Sequence, residues 1–147
     1  MGVMIAQSIE FAAPYCAVVV EEPALAPAAG QLQVTTQASA ISAGTELLFY
    51  RGLAPTDLPV DATIVALGQS APTYPLRYGY ACAGRVTAVG AGVKDSWINR
   101  QVFAFHPHAS HFCVDASSVL TTPAEATAEV CALLPNMETA VNLVMDG

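Results

Sequence analysis

Basic residues are scarce in this sequence. Lysine occurs once, at Lys94, and the four arginines, Arg51, Arg77, Arg85 and Arg100, are scattered. No basic stripe exists to neutralise phosphates, and the net charge is −7, so nucleic acid is not an expected partner. An anionic membrane surface is disfavoured on the same ground. Long apolar runs are also missing. The longest are short, such as Cys16 to Val20, whereas a membrane-spanning helix needs about 20 residues. No Lys or Arg precedes the first apolar residues and Glu10 comes early, which argues against a secretory leader. The four cysteines, Cys16, Cys82, Cys113 and Cys131, lie far apart with no C-x-x-C pair. They read as reduced thiols of a cytoplasmic protein rather than as a disulfide or zinc framework.

What is present is apolar residue and turn residue in quantity. The 147 residues suit one domain, 54% of them are apolar, and ten Gly and ten Pro are spread along the chain. That combination predicts a β-rich domain with many turns. Ala6–Phe11 and Cys16–Glu22 read as strands around a turn at Ala13-Pro14. The prolines at 23 and 27 make residues 22–27 an extended linker. Gln31–Ser39 alternates, with Leu32, Val34, Thr36 and Ala38 on one face, as a half-buried strand does. A helical turn over Gly44–Tyr50 follows, then a proline-rich surface loop over residues 51–76. Ala81–Val89 is a strand ending in a hairpin turn at Gly90-Ala91-Gly92. Val102–Phe105 is another, with Phe112–Val114 as its expected return partner. Glu125–Leu134 and Met137–Met145 read as helices. Strands first and helices last predict an antiparallel barrel or sandwich with a helical end.

Several segments, in order, resemble the GroES-like domain of medium-chain alcohol-dehydrogenase-type oxidoreductases. Ala40-Ile41-Ser42-Ala43-Gly44-Thr45-Glu46-Leu47, with Tyr50-Arg51-Gly52 after it, is similar to that family's G-I-C-G-T-D-L followed by Y-x-G. Tyr78-Gly79-Tyr80-Ala81-Cys82-Ala83-Gly84-Arg85-Val86, then Val89-Gly90-Ala91-Gly92-Val93, resembles G-H-E-x-x-G-x-V followed by V-G-x-G-V. Asn99-Arg100-Gln101-Val102 stands where the family has G-D-R-V, and Asn replaces Gly sensibly because it tolerates positive φ. Ala132–Ala140 resembles the family's A-x-L-x-P-x-x-T-A. The I-S-x-G-T-E form of residues 41–46 is similar in part to the bacteriochlorophyllide dehydrogenases.

The resemblance implies a mainly β fold, a GroES-like, partly open β-barrel with a few helices near the C-terminus, occupying residues 1–147. It implies hydride transfer between NAD(P) and a small alcohol or carbonyl substrate. The departures from the pattern carry as much information. The family's zinc-ligand positions fall at Ala43, Tyr80 and near Pro135, so no zinc is expected, since catalytic zinc needs three protein ligands. Gly90-Ala91-Gly92 lacks the third glycine and the helix that a dinucleotide fingerprint requires. NAD(P) binding is therefore expected only with a second domain, which in the family would begin just after Gly147.

Three residues are candidates for polarising a substrate oxygen by hydrogen bonding. Thr45 matches the hydroxyl that passes a proton in the family, although a threonine ahead of Leu47-Leu48-Phe49 also reads as a helix N-cap. Tyr80 could donate its phenolic proton to a carbonyl, or be a half-buried aromatic with its hydroxyl satisfied. His106 could line the substrate cleft. With His108 and His111 it could alternatively hold a metal, or the three rings could be separately hydrogen-bonded. Glu46, without zinc nearby, is expected to pair with an arginine, and Cys82 to be core. Two functional readings follow from the sequence. One is the substrate side of a zinc-independent oxidoreductase. The other is a stand-alone, non-catalytic binding module or a subunit of a split protein. A co-chaperonin is disfavoured, because the similarity lies in the dehydrogenase motifs. The apolar stripe Ala140, Val141, Val144 and Met145 predicts self-association through the last helix.

Overall fold

In the computed structural model, residues 3–58, 60 and 71–146 are described. Among these residues there are seven strands and three α-helices, besides short 3₁₀ turns: β1 (Ile5–Ala13), β2 (Cys16–Pro23), β3 (Gln31–Ser39), α1 (Thr45–Tyr50), β4 (Cys82–Val89), β5 (Gln101–Ala104), β6 (His111–Asp115), β7 (Val119–Thr121), α2 (Ala128–Ala132) and α3 (Leu134–Met145). Strands β1 and β2 form an antiparallel hairpin. The other five form one antiparallel sheet in the order β6-β3-β4-β5-β7. The sheet curls into a half-barrel, and the helices gather at the C-terminal end, as the sequence predicts. No helix among the described residues is long and apolar enough to cross a membrane.

The alternation in β3 sets the inner face. Leu32 and Val34 are fully enclosed, and they pack with Cys82, Val86, Val102 and Phe112 from the neighbouring strands. A second, all-small cluster of Ala83, Ala128, Cys131 and Ala132 lets α2 lie close against the sheet. The β1–β2 hairpin is attached through the segment that follows β5. The Ile9 amide donates to the His108 carbonyl at 3.0 Å, and the Ser110 amide to the Gln7 carbonyl at 2.7 Å. Further along β1, Phe11 pairs with Leu76.

Several expectations need correction. Phe112–Val114 is not the return partner of Val102–Phe105. It lies in β6, which pairs with β3, and β5 pairs instead with β7, a strand the sequence reading did not predict. Gly90-Ala91-Gly92 is a turn, with Gly92 at φ +82°, but β4 reaches β5 through residues 90–100 and a 3₁₀ turn at Asp95–Trp97 rather than through a tight hairpin. The last helix starts at Leu134 rather than at Met137, because Pro135 occupies its first turn, where a missing N–H costs nothing. Helix α2 starts at Ala128 rather than at Glu125, where the Thr127 hydroxyl accepts from the Val130 amide. Asn99 does adopt positive φ, at 66°. The expected loop over residues 51–76 is irregular where it is described, and residues 59 and 61–70 lie outside the described residues.

Candidate functional site

Helix α1 follows β3 after a short connection over residues 40–44, and its first turn is fixed by Ser42 rather than Thr45. The Ser42 Oγ accepts from the Thr45 amide at 3.4 Å, and the Ser42 amide donates to the Glu46 carboxylate at 2.8 Å. Thr45 is the first helical residue, and the N-cap position is Gly44, with no side-chain cap bond. This corrects the N-cap reading of Thr45. Its side chain lines a cleft of about 470 Å³.

The far wall of that cleft comes from the approach to β4 and from the start of α3. Tyr78, Tyr80 and Phe105 line one side, and Pro135, Asn136 and Thr139 line the other. Tyr78 stacks on Phe49 at 4.0 Å, and Tyr80 meets Tyr78 edge-on at 6.3 Å, so packed aromatic rings fix the direction of Tyr80. Thr45 and Tyr80 thus share one opening. The donors around it are hydroxyls, one amide and the carboxylate of Glu138. That set does not fit a catalytic zinc, which takes three ligands from histidine, cysteine and carboxylate.

His106 is not brought to this cleft. It lines a different pocket of about 350 Å³, together with Arg77, Glu22 and His111. There its ring stacks on Phe112 at 4.1 Å, and its Nδ1 donates to the Pro107 carbonyl at 2.8 Å. Burial pushes its pKa below the ordinary imidazole value, with the Pro107 bond opposing, so the ring is held neutral. The three histidines do not converge. His111 Nδ1 faces the Ser110 hydroxyl at 3.0 Å, and among the described residues no three of His, Cys, Asp and Glu form a metal-binding group.

His108 is the histidine with the most built surroundings. Its Nε2 is 2.8 Å from Glu46 Oε2, and both residues are buried, at 7% and 3% exposure. Its Nδ1 is hydrogen-bonded to the Ser39 hydroxyl at the end of β3. Glu46 therefore pairs with a histidine, not with an arginine as expected. The arginine that does form a buttressed pair is Arg77, bidentate on Glu22 at 2.6 and 3.2 Å. Gly79, at φ +119°, packs directly on the His108 ring, and a Cβ there would fall 2.5 Å from Cδ2. No other residue leaves that space. Cys82 is core, as expected. Burial raises its thiol to about 11, so it stays protonated and donates to the His106 carbonyl.

Sequence reasoning did not anticipate the Ser39–His108–Glu46 line. Its members are separated by 62 and 69 positions, and no local spacing joins them. The partial signal was Glu46 itself, an acidic residue on the inner face of a short amphipathic turn.

The sequence matches no protein-family model and no curated protein. Its fold does match solved structures. An Escherichia coli short chain alcohol dehydrogenase complexed with NADH superposes with a TM-score of 0.75 at 18% identity, covering 99% of this chain and 46% of that one. The 2R,3R-butanediol dehydrogenase of Bacillus subtilis gives 0.75 at 17% identity, covering 95% and 47%. An Escherichia coli quinone oxidoreductase complexed with NADPH gives 0.64 at 24% identity, covering 86% and 36%. The chain spans less than half the length of each of these proteins. Within that span it has the fold of their GroES-like part: a mainly β, half-barrel domain with a few helices at its C-terminal end.

Proposed function

We propose that this chain is the substrate side of an NAD(P)-dependent oxidoreductase acting on an alcohol or carbonyl compound without zinc. The observation that carries this reading is the shared cleft of Thr45 and Tyr80. Both present hydroxyl donors, and a substrate oxygen between them would be polarised by hydrogen bonds where a metal ion would otherwise serve as Lewis acid. Tyr80 stands at a position that the family resemblance assigns to a zinc ligand, and its phenolic O–H is a hydrogen-bond donor. Phe105 and Pro135 supply apolar walls that would hold the carbon skeleton.

A nicotinamide, when bound, supplies the hydride chemistry. Among the described residues no glycine-rich turn stands at a helix N-terminus to cradle its phosphates, and Gly90-Ala91-Gly92 leads into a loop and a 3₁₀ turn. We assign that cradle to a further domain, with this chain contributing only the wall opposite the nicotinamide. The I-S-x-G-T-E form of residues 41–46, similar in part to that of the bacteriochlorophyllide dehydrogenases, supports a substrate class like theirs in this reading.

The reading is tested on this chain by nuclear magnetic resonance titration with a panel of small ketones, quinones and secondary alcohols. Shifts should cluster on Ser42, Thr45, Tyr80 and Thr139. Thr45→Val and Tyr80→Phe should each weaken binding by about fivefold, the equivalent of one hydrogen bond of about 1 kcal/mol. Shifts confined to other faces, or unchanged affinity in both variants, would overturn the reading.

A further inference from the structure

Beside the Thr45–Tyr80 cleft, on the other side of α1, lies an apolar pocket of about 380 Å³. Its walls include Ile9, Phe11, Ile41, Leu47 and Tyr50, and Ser39, His108 and Glu46 line it as well. We propose that Ser39 is an activated nucleophile that accepts the acyl group of esters of short apolar acids, with His108 as its general base and Glu46 as the positioning residue of the imidazole.

The argument starts from Glu46. One carboxylate oxygen is occupied by the Ser42 amide at 2.8 Å, which holds the side chain across the first turn of α1. The other oxygen faces His108 Nε2 at 2.8 Å, in a buried site. A carboxylate can only accept, so Nε2 carries a proton, and in the neutral imidazole Nδ1 keeps its lone pair. That lone pair meets the Ser39 hydroxyl, which must then be the donor. The result is a serine, a histidine and a carboxylate in one hydrogen-bonded line, the order that activates a hydroxyl for attack. The base is further fixed from behind by Gly79, which packs on the ring. Ser39 itself is exposed and lines the pocket mouth, so an incoming carbonyl can reach it. The volume falls within the usual range for small-molecule sites, and its apolar walls select an aliphatic acyl chain.

The step balances without any external oxidant or reductant. The Ser39 Oγ forms a bond to the acyl carbon as its proton passes to His108 Nδ1. The ester C–O bond then breaks, and the departing alkoxide takes that proton and leaves as an alcohol. Ser39 remains as the acyl ester. Water can repeat the sequence to release the acid.

The test uses the whole chain with p-nitrophenyl butyrate, following p-nitrophenol release and mapping the butyryl group by peptide mass spectrometry. A burst of one equivalent with the butyryl group on Ser39 is expected. Ser39→Ala should abolish the burst. Glu46→Gln keeps a carbonyl oxygen for the Ser42 amide but turns an N–H₂ toward His108 Nε2. That forces the proton onto Nδ1 and takes the lone pair from Ser39, so acylation should fall by roughly 100-fold or more. The nitrogen-15 shifts of His108 read the tautomer directly, and the wild-type measurement needs no variant to fold. Nε2–H in the wild type and Nδ1–H in Glu46→Gln are expected. An Nδ1–H wild type, a butyryl group found elsewhere than on Ser39, no burst at millimolar ester, or an unchanged rate in Glu46→Gln would each overturn the proposal. None of these readouts involves Thr45 or Tyr80, so the oxidoreductase reading stands or falls separately.

Discussion

The five-stranded sheet and the last helix use the same kinds of residue in opposite ways. In the sheet, Leu32, Val34, Val86 and Val102 are at most 1% exposed. In α3 no residue is buried, and Val141, Leu143, Val144 and Met145 are 47%, 73%, 83% and 77% exposed. The difference lies in what each element can lean on. A strand inside the sheet has a neighbour on both sides and a curled face above it. Among the described residues, helix α3 packs mainly against α2, which is itself only five residues long. Apolar character therefore fixes the fold in one region and presents an open surface in the other.

The sharpest way to break this comparison is to cut into the enclosed half. Leu32→Ala removes a fully buried side chain from a cluster with Val34, Val86 and Phe112. It should cost about 2–5 kcal/mol, by lost burial and by the cavity left behind. Chemical denaturation should show this as a large drop in midpoint with little change in slope. A loss below about 1 kcal/mol would mean that the half-barrel is not packed as described.

A smaller effect belongs to the β1–β2 hairpin. Arg77 clamps Glu22 and also approaches Glu10 at 3.6 Å, tying the β1–β2 hairpin to the segment before β4. The Arg77 hydrogen bond holds the Glu22 carboxyl below its ordinary value of 4.5. A lowered folded-state pKa means that the stabilisation is fully present above the unfolded value, and is lost as pH falls through the folded one. Both side chains are more than a third exposed, at 38% and 45%, so solvent screening keeps the contribution to at most about 1 kcal/mol. Arg77→Met should thus lower stability slightly at pH 7 and leave less acid sensitivity below pH 4.5. Identical acid limbs for wild type and variant would show that the clamp adds nothing.

The same contrast explains what was legible in the sequence. Strands β1 to β4 could be read because each is long enough to show alternation or a continuous apolar run, as Leu32, Val34, Thr36 and Ala38 do. Strand β7 could not, because Val119-Leu120-Thr121 is too short to carry a period. The partner of β6 was misassigned because chain proximity favours β5, whereas closing the sheet sends β6 to β3, 73 positions away at the Thr36–Ala109 hydrogen bond beside it. In the site, Thr45 and Tyr80 were found together only through their family positions. His106 was placed with them by its neighbourhood in sequence, but a stack on Phe112 turns it into a separate pocket. The Ser39–His108–Glu46 line depends on three elements meeting in space, and no residue pattern within any one of them announces it.

The last and smallest effect on folding stability concerns α3, where the effect on association should be the larger one. Its twelve residues carry one charged side chain, Glu138, so a second copy of the helix would meet little electrostatic resistance. Burying one Val or Met side chain is worth roughly 1.5–3 kcal/mol, and two or three can offset part of the entropy lost on association. We therefore expect α3 to mediate self-association, since open apolar patches of this kind mark interfaces or aggregation sites. Val141→Asp and Val144→Asp change exposed positions, so each should alter folding stability by less than about 0.5 kcal/mol. Each should nevertheless shift the molecule toward monomer in sedimentation velocity runs from micromolar to millimolar protein. A wild type that stays monomeric across that range, with both variants indistinguishable from it, would mean that α3 is open but not adhesive, and that its apolar face is reserved for a surface other than its own copy.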